Sequence, residues 1–127
     1  VFETRTDIVV RGALNGMSAR HRAYVDAVAN AETPGFVPKT VEFEEQLRSI
    51  RDAMLADPLH ADAASQPDLD LATKPSQQTL GRADENQLSI DQQVVELAVN
   101  QLAYEALTQA ARLRHDILHS VITEAPR

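Results

Sequence analysis

From Ile90 to Ile122 the chain contains neither proline nor glycine, and no other stretch constrains its fold as much. Helical throughout, it would be on the order of 50 Å long. Val95, Val99, Leu102, Ala106, Ala110, Leu113, Ile117 and Val121 recur as one apolar stripe. Leu97, Tyr104, Leu107, Ala111, Leu118 and Ile122 form a second stripe beside it. A face this wide exceeds what one antiparallel helix can cover, so the pattern predicts burial against several helices. Ser89 and Gln92 have the spacing of a capping box, which predicts the start of the helix.

A second helical pattern lies near the beginning. Val10, Leu14, Met17, His21, Tyr24, Val28 and Ala31 alternate in steps of four and three, a heptad seam. Arg11, Arg20, Arg22 and Asp26 fall off the seam and are expected to face water or another subunit. Gly12 and Gly16 each cost about 1 kcal/mol relative to Ala in a helix interior, so this helix needs a partner surface. The pattern stops at Thr33-Pro34-Gly35-Phe36. Pro34 has no N–H and biases Thr33 toward extended geometry, while Gly35 accepts the positive φ of a type II turn.

After the turn, Val37-Pro38-Lys39 is predicted to be extended. Thr40 is expected to cap a short helix carrying Phe43, Leu47, Ile50 and Met54 on one face, ended by Asp57-Pro58. Residues 57–87 hold Pro58, Pro67, Pro75 and Gly81 among many polar side chains and read as an irregular loop, long for a compact domain. The alternation at Leu69-Asp70-Leu71 is compatible with a short strand there. The fold class expected is mainly α: long N- and C-terminal helices packed antiparallel as a coiled-coil-like pair, a short third helix, and an irregular middle with short β-strands. In residue terms, 1–127 is a single domain with an N-terminal helix at 7–31, a turn and short helix at 32–56, a loop at 57–87 and a C-terminal helix at 88–123.

Composition narrows the function. A net charge of −7 argues against nucleic-acid binding, because nothing neutralises phosphates. Aromatic residues make up only 4% of the chain, which predicts a small core and burial supplied by partners. The absence of cysteine leaves the redox compartment undecided. No basic start followed by a long apolar run reads as a secretory signal, and no stretch approaches a membrane span. His115 and His119 are four apart and could share a helix face, but no third metal ligand follows them. The serines sit in no nucleophile motif, there is no glycine-rich phosphate loop, and Glu42, Glu44 and Glu45 read as the solvated start of a helix. No catalysis, metal, cofactor or small-molecule substrate is expected.

The string Ala29-Asn30-Ala31-Glu32-Thr33-Pro34-Gly35-Phe36 after an amphipathic helix resembles the signature of bacterial flagellar basal-body rod, hook and related axial proteins. A second match runs between Val94 and Thr108, carried by Glu96, Leu97, Asn100, Gln101, Leu102, Tyr104, Ala106, Leu107 and Thr108. The chain is most similar to the smallest proximal-rod subunits of that family. It departs from the family at Ala27-Val28, where Asn-Ile is common, and at Phe36, where Tyr is. The resemblance implies a structural subunit of the proximal rod, exported by the flagellar type III apparatus, self-associating and packed against other rod subunits and the junction with the rotor base and export gate. It makes Asn30, Thr33, Pro34, Gly35 and Phe36 the assembly motif. The helix-packing residues expected are Val10, Leu14, Met17, Tyr24, Val28, Val95, Val99, Leu102, Leu107, Leu113, Ile117 and Val121. The residues taken alone leave two other readings, a soluble helical adaptor or export chaperone that grips a partner helix and, on the His115/His119 pair, a small metal-dependent enzyme.

Overall fold

The computed structural model describes residues 5–56, 74–75 and 90–123. The elements are α1 (Arg5–Ala29), β1 (Lys39–Thr40), α2 (Glu44–Ala56), β2 (Lys74–Pro75) and α3 (Ile90–Thr123). Both long helices therefore form, and the architecture is mainly α. They are antiparallel. Asp7 near the start of α1 pairs with Arg114 toward the end of α3 at 2.7 Å, and the Met17 carbonyl accepts from Asn100. Tyr24 near the end of α1 lies beside Glu96 near the start of α3. Val10, Leu14, Met17, His21, Tyr24 and Val28 are all half-buried, as a seam against a single neighbour should be.

α1 buries a second face. Gly16, Ala23 and Ala27 are buried and Ala19 half-buried, a row of small residues at helical spacing. Val41 and Phe43 pack on this row together with Met17, Ala19 and Leu47, forming the main apolar cluster among the described residues. The contact is close: a Cβ built on Gly16 would stand 2.3 Å from the Phe43 ring. Gly16, which weakens the helix taken alone, is thus what lets the aromatic ring reach the α1 backbone.

The short helix differs from the sequence expectation. Thr40 does not cap it. Thr40 lies in β1, opposite Lys74 of the antiparallel β2, with Lys39 opposite Pro75. α2 starts at Glu44, and Phe43 stands just before it: its carbonyl accepts from the Leu47 N–H at 3.0 Å, and its own N–H donates to the Glu44 carboxylate at 3.2 Å. Burying the Phe43 ring against Gly16 holds that residue outside the helical face on which its spacing placed it. Leu47, Ile50 and Met54 remain half-buried on one side of α2. Ser89 and Leu69-Asp70-Leu71 lie outside the described residues, as does most of 57–87.

Replacing Gly16 tests this packing. Gly→Ala in an open helix should gain about 1 kcal/mol, but here overpacking should cost about 1–3 kcal/mol. Gly16→Ala is therefore expected to lower the urea midpoint of the full chain, and Phe43→Leu in the same background to restore part of it. An increase in stability from Gly16→Ala alone would show that Phe43 does not dock there.

Candidate assembly surfaces

The turn after α1 is built from its own hydrogen bonds. At the helix end, the Asn30 N–H and its side-chain Nδ2 both donate to the Asp26 carbonyl, at 3.1 and 2.8 Å. Thr33 closes the next step by donating its N–H to the Asn30 carbonyl at 2.9 Å and its hydroxyl to Asn30 Oδ1 at 3.3 Å. Phe36 N–H then donates to the Thr33 carbonyl at 3.2 Å, across Pro34 and Gly35. Gly35 has φ +75°, the left-handed value that a type II turn requires at its third residue. Asn30 thus ends α1 at Ala29, two residues short of the sequence expectation. Ala31, the last residue of the predicted seam, belongs to the turn.

Arg20 clamps the chain that returns from this turn. Its Nε and Nη2 donate to the Val41 carbonyl at 3.1 and 2.8 Å, and its guanidinium grips both oxygens of Glu44 at 2.7 Å each. The charged plane also lies 4.5 Å from the centre of the Phe43 ring, within cation–π range. Arg20 consequently faces neither water nor another subunit, as its place off the seam had suggested. Arg11, Arg22 and Asp26 are exposed as expected. Hydrogen bonding from Arg20 holds the Glu44 carboxyl below its ordinary value. Burial, and next the charge of Glu96, push the Tyr24 phenol up.

α3 turns the less apolar of its two faces inward. The row Gln93, Leu97, Asn100, Tyr104, Leu107, Ala111 and Arg114 lies toward α1, with Gln93 and Asn100 buried at 7% and 6% exposure. Val95, Val99, Leu102, Leu113, Ile117 and Val121 are left between 55% and 66% exposed. Of the α3 residues expected to pack, Leu107 alone is half-buried within the chain. Buried Gln93 and Asn100 escaped the sequence reading because apolar spacing marks only where apolar residues recur. His115 and His119 are exposed, and no three metal-ligating side chains come together among the described residues.

No protein-family model matches the chain. It is 27% identical over 117 residues to the flagellar basal body rod protein FlgB of Bacillus subtilis (strain 168), a match covering 90% of each chain. A match of that span includes the turn between α1 and α2 and most of both long helices. Two features stand out among the described residues as candidate assembly surfaces, the turn after α1 and the outer face of α3.

Two outcomes follow from the geometry. Nothing lies within 4 Å of a Cβ added at Gly35, so Gly35→Val should cost about 1–2 kcal/mol through backbone strain alone. Gly35→Asn should cost less, because Asn tolerates this region; equal urea midpoints for all three chains would show that the turn relaxes. For Glu44, a lowered folded value means that its contribution is present above the ordinary 4.5 and is lost as pH falls below it. The carboxylate side chain is 54% exposed, so solvent screening limits the pair to about 1 kcal/mol. The melting-temperature gap between the parent and Glu44→Gln should close as the pH is taken below 4.5. A gap independent of pH would exclude the Arg20 contact as its source.

Proposed function

We propose that this chain is a structural subunit of the bacterial flagellar proximal rod. The observation that carries the reading is the likeness to a rod protein along 90% of both chains. On this reading the chain acts in the basal body, in the periplasmic rod, after export by the flagellar type III apparatus. Its partners are copies of itself, other rod subunits and the junction with the rotor base and export gate. Residues 1–127 act as one rod-type domain, with Asn30, Thr33, Pro34, Gly35 and Phe36 setting the direction in which the chain leaves α1.

Function here is mechanical. The outer stripe from Val95 to Val121 would be covered by neighbouring helices, and full burial of each Val, Leu or Ile is worth about 1.5–3 kcal/mol relative to exposure. A twist that shears neighbours apart re-exposes this apolar area in every subunit at once, so the lattice resists the twist and passes torque along its length. Rod growth also requires head-to-tail contacts that do not close on themselves, which a wide continuous face allows. No described helix is long and apolar enough to cross a membrane, so attachment to the rotor base would come from protein contacts.

The test is to place charge on the stripe. Val99 and Ile117 are 60% and 55% exposed in the single chain, so Val99→Asp and Ile117→Asp together should leave its fold within about 0.5 kcal/mol per site. The double variant is expected to be exported yet missing from basal bodies, with motility lost. Functioning rods built from it would overturn the proposal. A closed oligomer or a 1:1 complex seen by electron microscopy with rod partners would favour an adaptor instead.

A further inference from the structure

The outer stripe of α3 keeps its own period. Val95, Ala106 and Ile117 stand eleven residues apart, as do Val99, Ala110 and Val121, and Leu102 and Leu113. Eleven residues in three turns run almost straight along a helix, whereas the α1 seam repeats every seven and favours a left-handed partner. A helix stays in step with this stripe over its whole length only by sharing its spacing. Among the described elements α3 alone qualifies. α1 turns Arg11, Asn15, Arg22 and Asp26 outward, and α2 has only 13 residues. The α3 of a second copy is therefore the partner that fits.

The stripe also reads the same from either end. Val95, Val99 and Leu102 lie eleven, seven and four residues before Ala106, and Ala110, Leu113 and Ile117 lie four, seven and eleven after it. Its ends are bulky and its middle is small. Val95, Val99, Leu113 and Ile117 are 55–63% exposed, with Ala106 and Ala110 exposed between them. Two such helices can touch where their ridges cross at Ala106 and fill the widening gap on either side with larger side chains. Charge chooses the direction. In a parallel pair in register, Asp91 would meet Glu96 of the second copy, five residues on across the seam, at two places by symmetry. In an antiparallel pair Glu96 meets Arg114 of the second copy instead, since the two stand on one edge of the stripe, five turns apart. Arg114 already holds Asp7, but a guanidinium has five N–H donors. Glu105, on the opposite edge near the crossing, is drawn back from it by the Gln101 amide at 2.7 Å.

We infer that the chain, free of other partners, pairs with a second copy through antiparallel α3 helices that cross at Ala106. Val95 then faces Ile117 of the second copy, Val99 faces Leu113 and Leu102 faces Ala110, so one twofold contact covers the stripe. Five large side chains per copy, with the alanines and flanks, bury on the order of 1,000 Å² in total, the lower bound for a specific interface. The dimer is weak for that reason and gives the stripe up to neighbours that cover more of it. This pairing concerns the chain alone and does not depend on the rod reading.

Sedimentation of the full-length chain at about 100 µM is expected to give twice the single-chain mass of 14.0 kDa, and the monomer after about hundredfold dilution. Ala106→Leu should weaken pairing about tenfold, because a larger side chain holds the crossing apart. A merely sticky stripe would pair more strongly with it. The chain has no cysteine, so single substitutions report direction. Ala106→Cys should link to its own copy under mild oxidation. Val95→Cys and Ile117→Cys should each fail to do so, and the two mixed should link to each other. The inference is overturned by a chain that stays monomeric at the higher concentration, by tighter pairing of Ala106→Leu, or by Val95→Cys linking to itself. Rods built from a chain that is monomeric alone would overturn the pairing and leave the proximal-rod reading standing. A dimer whose chain never enters basal bodies would do the reverse.

Discussion

The approach of the Phe43 ring to the bare backbone at Gly16 is the contact on which the remaining packing depends. It joins the chain after the turn to the helix before it, and it is possible only because position 16 has no side chain. Arg20, one turn further along α1, closes the same junction by three means: hydrogen bonds to the Val41 carbonyl, a paired grip on Glu44, and its place over the ring. Val41 is fully buried beneath them. An isolated ion pair at a surface adds little, but here the guanidinium also donates two hydrogen bonds to the carbonyl of Val41, the residue that follows β1. The junction is polar at its rim and apolar inside, and it sets the angle of α2 against α1.

With one side of α1 committed to that junction, the other is left for α3. This division explains why the row beneath Val41 and Phe43 is made of Gly and Ala while the row facing α3 carries Leu, Met and Tyr. Small residues admit a close loop; large ones fill the wider gap between two helices. The same division leaves α3 with α1 as its one neighbour among the described elements. Its inner row mixes Leu97, Leu107 and Ala111 with Gln93, Asn100 and Arg114, and its more apolar row looks outward. In a chain meant to remain alone this would be an inverted helix. In a subunit whose partners supply the missing surface, the helix is divided between a specific inner contact and an apolar outer one.

Several features were legible from residue order because they depend on neighbours in sequence. Gly35 has its positive φ where Pro-Gly after a helical pattern demands one. α1 and α3 form where heptad spacing and the absence of proline predict them. The resemblance of the Asn30–Phe36 string and of the Val94–Thr108 segment to rod proteins is matched by an alignment that spans both chains. Asn30 was legible as part of a motif; that it ends α1 by two bonds to Asp26 was not.

What the sequence by itself determined was the set of local conformations: two long helices, a left-handed glycine between them and a chain too poor in aromatic residues to bury everything alone. Tertiary structure alone decided which face of each helix is inside. Periodicity is a property of one helix and gives spacing without direction, so it could not say that Arg20 turns back to the Val41 carbonyl across 21 residues. Nor could it say that Thr40 leaves its capping role for a strand, or that the polar edge of α3 is the buried one. Those outcomes depend on distances between segments remote in the chain, where a carbonyl within reach of a guanidinium or a missing Cβ beneath a ring decides which side chain turns inward.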